Sequence, residues 1–166
     1  MNIYHGSDVV IEKPKILQSN RLLDFGIGFY TTSNKEQAVR WAEKVGLRNN
    51  SGKKLLSVYN FDTEKAKREL NIIKFISADE KWLDFIVANR IGKEILEEYD
   101  IVIGSVADDN VYLTVKLFET GVLDKDEVLK RLKVEKLFDQ ILFHTEKGLG
   151  FCVFDHYEDI GGKING

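Results

Sequence analysis

Two glycines, Gly26 and Gly28, lead directly into the aromatic run Phe29-Tyr30-Thr31-Thr32. So short a run of aromatic and β-branched residues is expected to be a strand, in which successive side chains point to opposite faces. Phe29 and Tyr30 are thereby divided between two faces, so that one ring can enter a core while the other lines a cleft. The glycines ahead of them read as turn punctuation.

Further strand-like runs are Asn2-Ile3-Tyr4, a stretch from about Lys54 carrying Leu56, Val58 and Phe61, Ile101 to Val106, Ile141-Leu142-Phe143 and Phe151-Cys152-Val153-Phe154. Helical patterns lie between them. Ser33-Asn34-Lys35-Glu36 has the form of a capping box. Ala38, Trp41, Ala42 and Val45 then recur with helical spacing on a face expected to pack against a sheet, and Gly46 is placed to end the helix. Ser77-Ala78-Asp79-Glu80 is a second capping box, opening a helix with Trp82, Phe85 and Ile86 on one side that runs on through Asn89 and Arg90 towards Leu96. Asp109 or Asn110 can cap a helix carrying Val111, Val115 and Phe118 and closed by Gly121, and Asp124-Lys125-Asp126-Glu127 caps another. The expectation is one α+β domain over residues 1–160, strands towards both ends and helices between, with 161–166 as a loose tail.

A chain of 166 residues, 43% hydrophobic and 31% charged, can bury one substantial core and is not disordered in composition. Its net charge of −3 gives no global attraction to nucleic acid or to an anionic membrane. No run approaches the roughly 18 apolar residues that a membrane span requires, and the N-terminus lacks a basic region followed by an apolar one. The single cysteine, Cys152, allows no internal disulfide and fits a cytoplasmic protein. It lies in an apolar run and reads as packing rather than nucleophile.

Chemistry-bearing residues are few. His5 follows the first strand and precedes Gly6 and Ser7. At a strand end it can exchange hydrogen bonds with sugar hydroxyls, and Gly6 lets a ligand come close to the backbone; it also reads as an ordinary turn histidine. Tyr30 and Trp41 can sandwich a planar ring by offset stacking, or be core. His5, His144 and His156 are too scattered for a metal site, and Gly26-Ile27-Gly28 lacks the third glycine of a dinucleotide fingerprint.

Read together, Tyr4-His5-Gly6, Gly28-Phe29-Tyr30-Thr31-Thr32 and the later Trp41 resemble the ADP-ribosyltransferase superfamily, nearest its diphtheria-toxin-like, histidine–tyrosine–glutamate branch. The chain up to about Phe154 also resembles a small bacterial domain family often encoded as the toxin half of toxin–antitoxin pairs. That second likeness rests on Trp82-Leu83-Asp84-Phe85-Ile86 with Asn89-Arg90, on Tyr99-Asp100-Ile101-Val102-Ile103-Gly104 and on Val111-Tyr112. The resemblance implies a split, mostly antiparallel sheet core with surrounding helices and NAD as donor substrate. It also implies a protein or nucleic-acid acceptor, a neutralising antitoxin partner and no metal. It casts His5 as holder of the adenosine-side ribose, Gly6 as the backbone meeting the nicotinamide amide, and Tyr30 and Trp41 as the stacking rings. Ser7, Gly28, Phe29 and Thr31 complete the implied NAD site.

The third signature residue of that superfamily, often glutamate, opens a late strand and favours an oxocarbenium-like transition state. The matching strand here is Gln140 to Glu146, which puts Gln140 at that place. An amide can hold a ribose hydroxyl, but it is no general base and carries no charge to stabilise a cationic sugar. Three readings follow: an acceptor that supplies its own nucleophile, which we favour; a substitute carboxylate among Asp139, Glu146, Asp108 and Asp109; or binding without turnover. NAD hydrolysis, with water as acceptor, is the further alternative.

Overall fold

The structure, a computed structural model, describes residues 1–17, 23–92, 98–105, 109–133 and 139–161, excepting the side chains of residues 109 and 110. In chain order the elements are β1 (Asn2–Ser7), β2 (Phe29–Thr31), α1 (Lys35–Arg48), β3 (Leu55–Phe61), α2 (Thr63–Glu69), β4 (Ile72–Lys74), α3 (Glu80–Arg90), β5 (Ile101–Ser105), α4 (Asp109–Glu119), α5 (Lys125–Leu132), β6 (Asp139–Phe143), α6 (Glu146–Leu149) and β7 (Cys152–Asp159). The strands form two sheets, β1-β3-β7 and β2-β6-β5-β4. Every pairing is antiparallel except β4 with β5. The expected α+β class, with a mostly antiparallel core, is what the chain adopts.

Strand alternation sorts the residues into layers. Ile3, Tyr59 and Phe61 from the first sheet meet Phe29, Ile101, Ile141 and Phe143 from the second in one buried cluster. On the outer side of the first sheet, Leu56 packs on Ala38 and Ala42 of α1. On the outer side of the second, Val102 and Leu142 pack on Trp82, Leu83 and Ile86 of α3, Val111 and Val115 of α4, and Val128 and Leu132 of α5. Trp82, fully buried, donates its indole N–H to the Ser105 carbonyl at 3.1 Å, so even this large ring leaves no polar atom unpaired. Among the described residues no helix is long and apolar enough to cross a membrane.

Several boundaries differ from expectation, each for a local reason. Asn34, not Ser33, caps α1, its side chain accepting from the Gln37 N–H at 2.8 Å. The Ser33 N–H is engaged instead by the Asp139 carboxylate at 3.1 Å. Asp79, not Ser77, caps α3. Helix α1 does not stop at Gly46: a side chain there would strike the Lys53 carbonyl, so that glycine admits the returning chain from within the helix. Asn50, with φ of 55°, makes the left-handed turn that follows. The late strand ends at Phe143, and Glu146 opens α6 rather than closing the strand. Conversely β7 runs on to Asp159, because His156, Tyr157 and Glu158 pair with β3 past a register shift that leaves Asp155 without a partner in the ladder, and no hydrophobic alternation marks this stretch. Helix α3 is described to Arg90 with Ile91 as its cap. The expected run towards Leu96 is broken there, because Gly92, with φ of 67°, turns the chain out of the helix; residues 93–97 and most of the expected tail, 162–166, lie outside the described residues.

Candidate functional site

Among the described residues, one backbone bridge joins the edges of the two sheets. The Tyr4 N–H donates to the Thr32 carbonyl at 2.8 Å and the Thr32 N–H to the Tyr4 carbonyl at 3.0 Å. An antiparallel ladder continuing from there would set Gly6 opposite Tyr30. It does not continue: His5 Nδ1 takes the Tyr30 carbonyl instead, at 2.7 Å. Peptide groups two apart along a strand face the same edge. Gly6 therefore turns its N–H and C=O the way Tyr4 does, towards the gap where the sheets part, and among the described residues no bond to β2 takes them up. Gly6 thus directs one donor and one acceptor towards this edge.

Gly6 is glycine for a reason the sequence does not disclose. A Cβ there would strike the Ala38 carbonyl and come within 2.8 Å of the Ala42 N–H, so the missing side chain seats α1 on β1. The helix backbone fills the space on the Cα side of Gly6, which leaves its N–H and C=O as the groups that a ligand approaching the backbone can meet. Gly28 likewise admits the neighbouring strand, since a Cβ there would strike the Phe143 carbonyl.

A carbonyl only accepts, so the bond to Tyr30 fixes the proton of neutral His5 on Nδ1 and leaves Nε2 with the lone pair. The ring stacks on Phe29 with centroids 4.7 Å apart. Burial pushes its pKa below the ordinary 6.5, outweighing the bond to the Tyr30 carbonyl, which favours the charged form. His5 is therefore a neutral imidazole near pH 7, with an acceptor nitrogen free of any partner among the described residues. The lowered folded pKa means that the unfolded chain binds this proton first, so stability falls as pH drops below about 6.5. His156 behaves oppositely: Asp155 and then Glu158 raise its pKa, and its contribution is present below about 6.5 and lost as pH rises through the folded value. Urea titrations between about pH 7.5 and pH 5.5 are expected to show a smaller acid loss in His5→Asn than in the parent chain. Equal losses would mean that His5 is not shielded.

Tyr30 is held at both ends. Its carbonyl is taken by His5, and its hydroxyl donates to the Gly26 carbonyl at 2.5 Å. Burial raises the hydroxyl pKa above its ordinary value and the Asp24 carboxylate adds to the rise, so it remains a protonated donor. Trp41 departs from expectation. The buried face of α1 is Ala38, Ala42, Val45 and Gly46, while Trp41 is 51% exposed. No ring contact joins it to Tyr30 among the described residues. Helical geometry explains this, because Trp41 lies a full 60° off Ala38, at the edge of the apolar stripe.

Phe29 is core beneath His5 and edge-on to Tyr59. Thr31 is buried and donates its hydroxyl to the Ile141 carbonyl at 3.1 Å. Ser7 is buried at the end of β1. Gln140, half-buried, shares the outer face of the second sheet with Leu142, the cross-strand partner of Tyr30. It is therefore a diagonal neighbour of Tyr30, a relation that separates residues by roughly 7–8 Å. Asp139 points to the other face, where its carboxylate holds Thr32 and Ser33. Glu146 lies beyond the far end of β6. Asp108 and the side chain of Asp109 are outside the described residues. Neither described carboxylate thus stands where it can substitute for one at Gln140.

Asp24 and Arg90 are brought together by the fold alone. Arg90 Nε donates to Asp24 Oδ1 at 2.7 Å across 66 residues of chain, a separation that no local signal spans. His144, one of the scattered histidines, donates from Nδ1 to the Ile27 carbonyl at 2.5 Å, tying the 24–28 loop to the end of β6. Among the described residues no group of His, Cys, Asp or Glu is arranged to hold a metal ion. A cleft of about 430 Å³ between Ser77, Ser105 and Lys133 includes none of the expected site residues.

The chain matches, over residues 1–154, the family described as Protein of unknown function (DUF3990). No curated protein and no solved structure matches the chain.

Proposed function

The chain belongs to the DUF3990 family, and for it we propose an NAD-dependent ADP-ribosyltransferase that modifies a protein or nucleic-acid acceptor, acting in the cytoplasm as the toxin half of a pair with an antitoxin protein. The observation that carries the reading is the parting of the strands at Gly6 and Tyr30. One N–H and one C=O on a single residue match the C=O and N–H₂ of a carboxamide, the group that nicotinamide carries. Tyr30 supplies a ring tethered at its hydroxyl and at its carbonyl, able to stack on a flat heterocycle without first losing rotational freedom. His5 Nε2 supplies an acceptor for a ribose hydroxyl. Trp41, standing clear of the core, is free to close on a bound ring from α1.

NAD brings the reactive glycosidic bond. The chain binds, orients and excludes water around it, and the acceptor brings the nucleophile. Gln140 offers its amide oxygen to a hydroxyl and no base, which is why we favour an acceptor that is nucleophilic unaided. A second reading, a module that binds a nucleotide without turning it over, is supported by Gln140 itself and by Asp139 and Glu146, of which Asp139 faces the other side of the sheet and Glu146 lies beyond the far end of β6.

Incubation with labelled NAD, with and without a cell lysate, separates the possibilities. Label on a macromolecule is the expected result, free nicotinamide alone indicates a hydrolase, and neither indicates a binding module. His5→Ala and Tyr30→Ala are each expected to lower transfer by roughly 10²-fold, the scale of a lost positioning contact. Full activity in folded His5→Ala would remove the proposed site.

A further inference from the structure

We propose that Arg90 is a positioning residue for the Tyr30 ring, acting through Asp24 on the loop whose Gly26 carbonyl holds the Tyr30 hydroxyl. This rests on the reading of Tyr30 as the ring that meets the ligand.

Arg90 ends α3, with its side chain only 8% exposed. Its guanidinium lies over the Tyr112 ring, 4.6 Å from the centroid. It makes one good polar contact, Nε to Asp24. Its two terminal nitrogens are buried without a hydrogen-bond partner, and the Glu119 oxygen 3.8 Å away is buried and unbonded as well. Lys116 stands 3.8 Å from the same carboxylate. As a contribution to stability this is a poor arrangement, since buried charge with incomplete hydrogen bonding is better replaced by apolar packing. As a device for fixing Asp24 it is effective: the Nε–Asp24 bond is short and shielded from water.

The neighbouring residue acts on the same loop. Asn89 donates to the Phe85 carbonyl at 3.1 Å, and its Oδ1 lies so close to Gly26 that a Cβ there would be 3.1 Å from it. Consecutive residues at the end of α3 therefore seat Gly26 and Asp24. The loop passes its position on through the Gly26 carbonyl, which takes the Tyr30 hydroxyl. A stacking ring needs a fixed orientation, and its tether is no more rigid than the carbonyl it hangs from.

The test uses the full chain with Asp24→Asn, Arg90→Lys and Arg90→Met, each made alone and together with Tyr30→Phe, which cuts the hydroxyl tether. Calorimetry measures NAD affinity, and hydrogen exchange reads the amides of residues 25–30. Asp24→Asn and Arg90→Met are expected to weaken NAD binding roughly tenfold in the parent chain and less than about twofold in the Tyr30→Phe background, with Arg90→Lys between the two. Amides 25–30 are expected to exchange about tenfold faster while those of β3 are unchanged. Equal losses in both backgrounds, or unchanged exchange in the folded variants, would overturn the proposal. Asp24→Asn keeps the test valid should Arg90→Met fail to fold. If the parent chain binds no NAD, it is the proposed function that fails, and the exchange arm alone then decides the role of Arg90.

Discussion

Gly6→Ala is expected to destabilise the fold by about 3 kcal/mol, the upper end of what an inserted methyl costs in a packed core. The added Cβ meets the Ala38 carbonyl and lies 2.8 Å from the Ala42 nitrogen. Both are helix backbone, so no side chain can rotate away to make room. Either α1 lifts from β1 or β1 bends away from β3, to which it is paired along its whole length from Asn2 to Ser7. Lifting the helix opens the cluster of Ala38, Ala42 and Leu56, all at most 2% exposed. It also strains the start of the helix, since Ser33, one residue before the cap, is bonded to Asp139 on β6. For a domain of this size the loss corresponds to a fall in thermal midpoint of roughly 6–12 °C. Thermal or urea denaturation measures it. A change below about 0.5 kcal/mol, the ordinary size for a surface site, would mean that α1 does not lie on β1 at this residue.

Where the physics is local, the sequence could be read. Asp124 caps α5 as expected, accepting from the Glu127 N–H at 2.9 Å, because a cap needs only its own next three residues. β3, β5 and β6 follow from apolar runs. The short elements escaped: α2, capped by Asp62, has a mostly charged sequence with Ala66 as its one buried side chain, and β4 has only three residues. At the site, His5 and Tyr30 stand out by type and order, yet their bond joins a side chain to a carbonyl 25 residues on. No periodicity encodes that. Trp41 is the opposite case: it is apolar and at helical spacing, yet the buried stripe of α1 is too narrow to include it. Gly6 and Gly28 carry the same lesson. A glycine in a sequence declares that space is needed, and only the fold says whether a ligand or a neighbouring backbone occupies it.

Gln140→Glu is expected to raise NAD hydrolysis by about 10²–10³-fold, the effect of one well-placed group acting on charge that develops in the transition state. The substitution is nearly isosteric and keeps an acceptor oxygen, so folding and NAD affinity should change little. What changes is the charge beside the ribose as the bond to nicotinamide breaks, together with a base able to take a proton from water. The surroundings sharpen the effect. Gly104 is the cross-strand partner of Gln140, and its bare Cα is covered by Phe25 and Phe75, whose atoms would lie 2.9 and 3.3 Å from a Cβ. Those rings lower the local dielectric, which strengthens the electrostatic effect and also raises the pKa of a carboxyl placed there. Hydrolysis should accordingly rise with pH as that group ionises, a dependence that the parent chain, with an amide at this position, should lack. In the presence of lysate the labelled macromolecule should lose ground to free ADP-ribose, because water becomes a competitive nucleophile once a base serves it. If the variant binds NAD as tightly as the parent chain and hydrolyses it no faster, Gln140 does not face the reacting sugar. The diagonal relation to Tyr30 across β2 and β6 would then be structural alone.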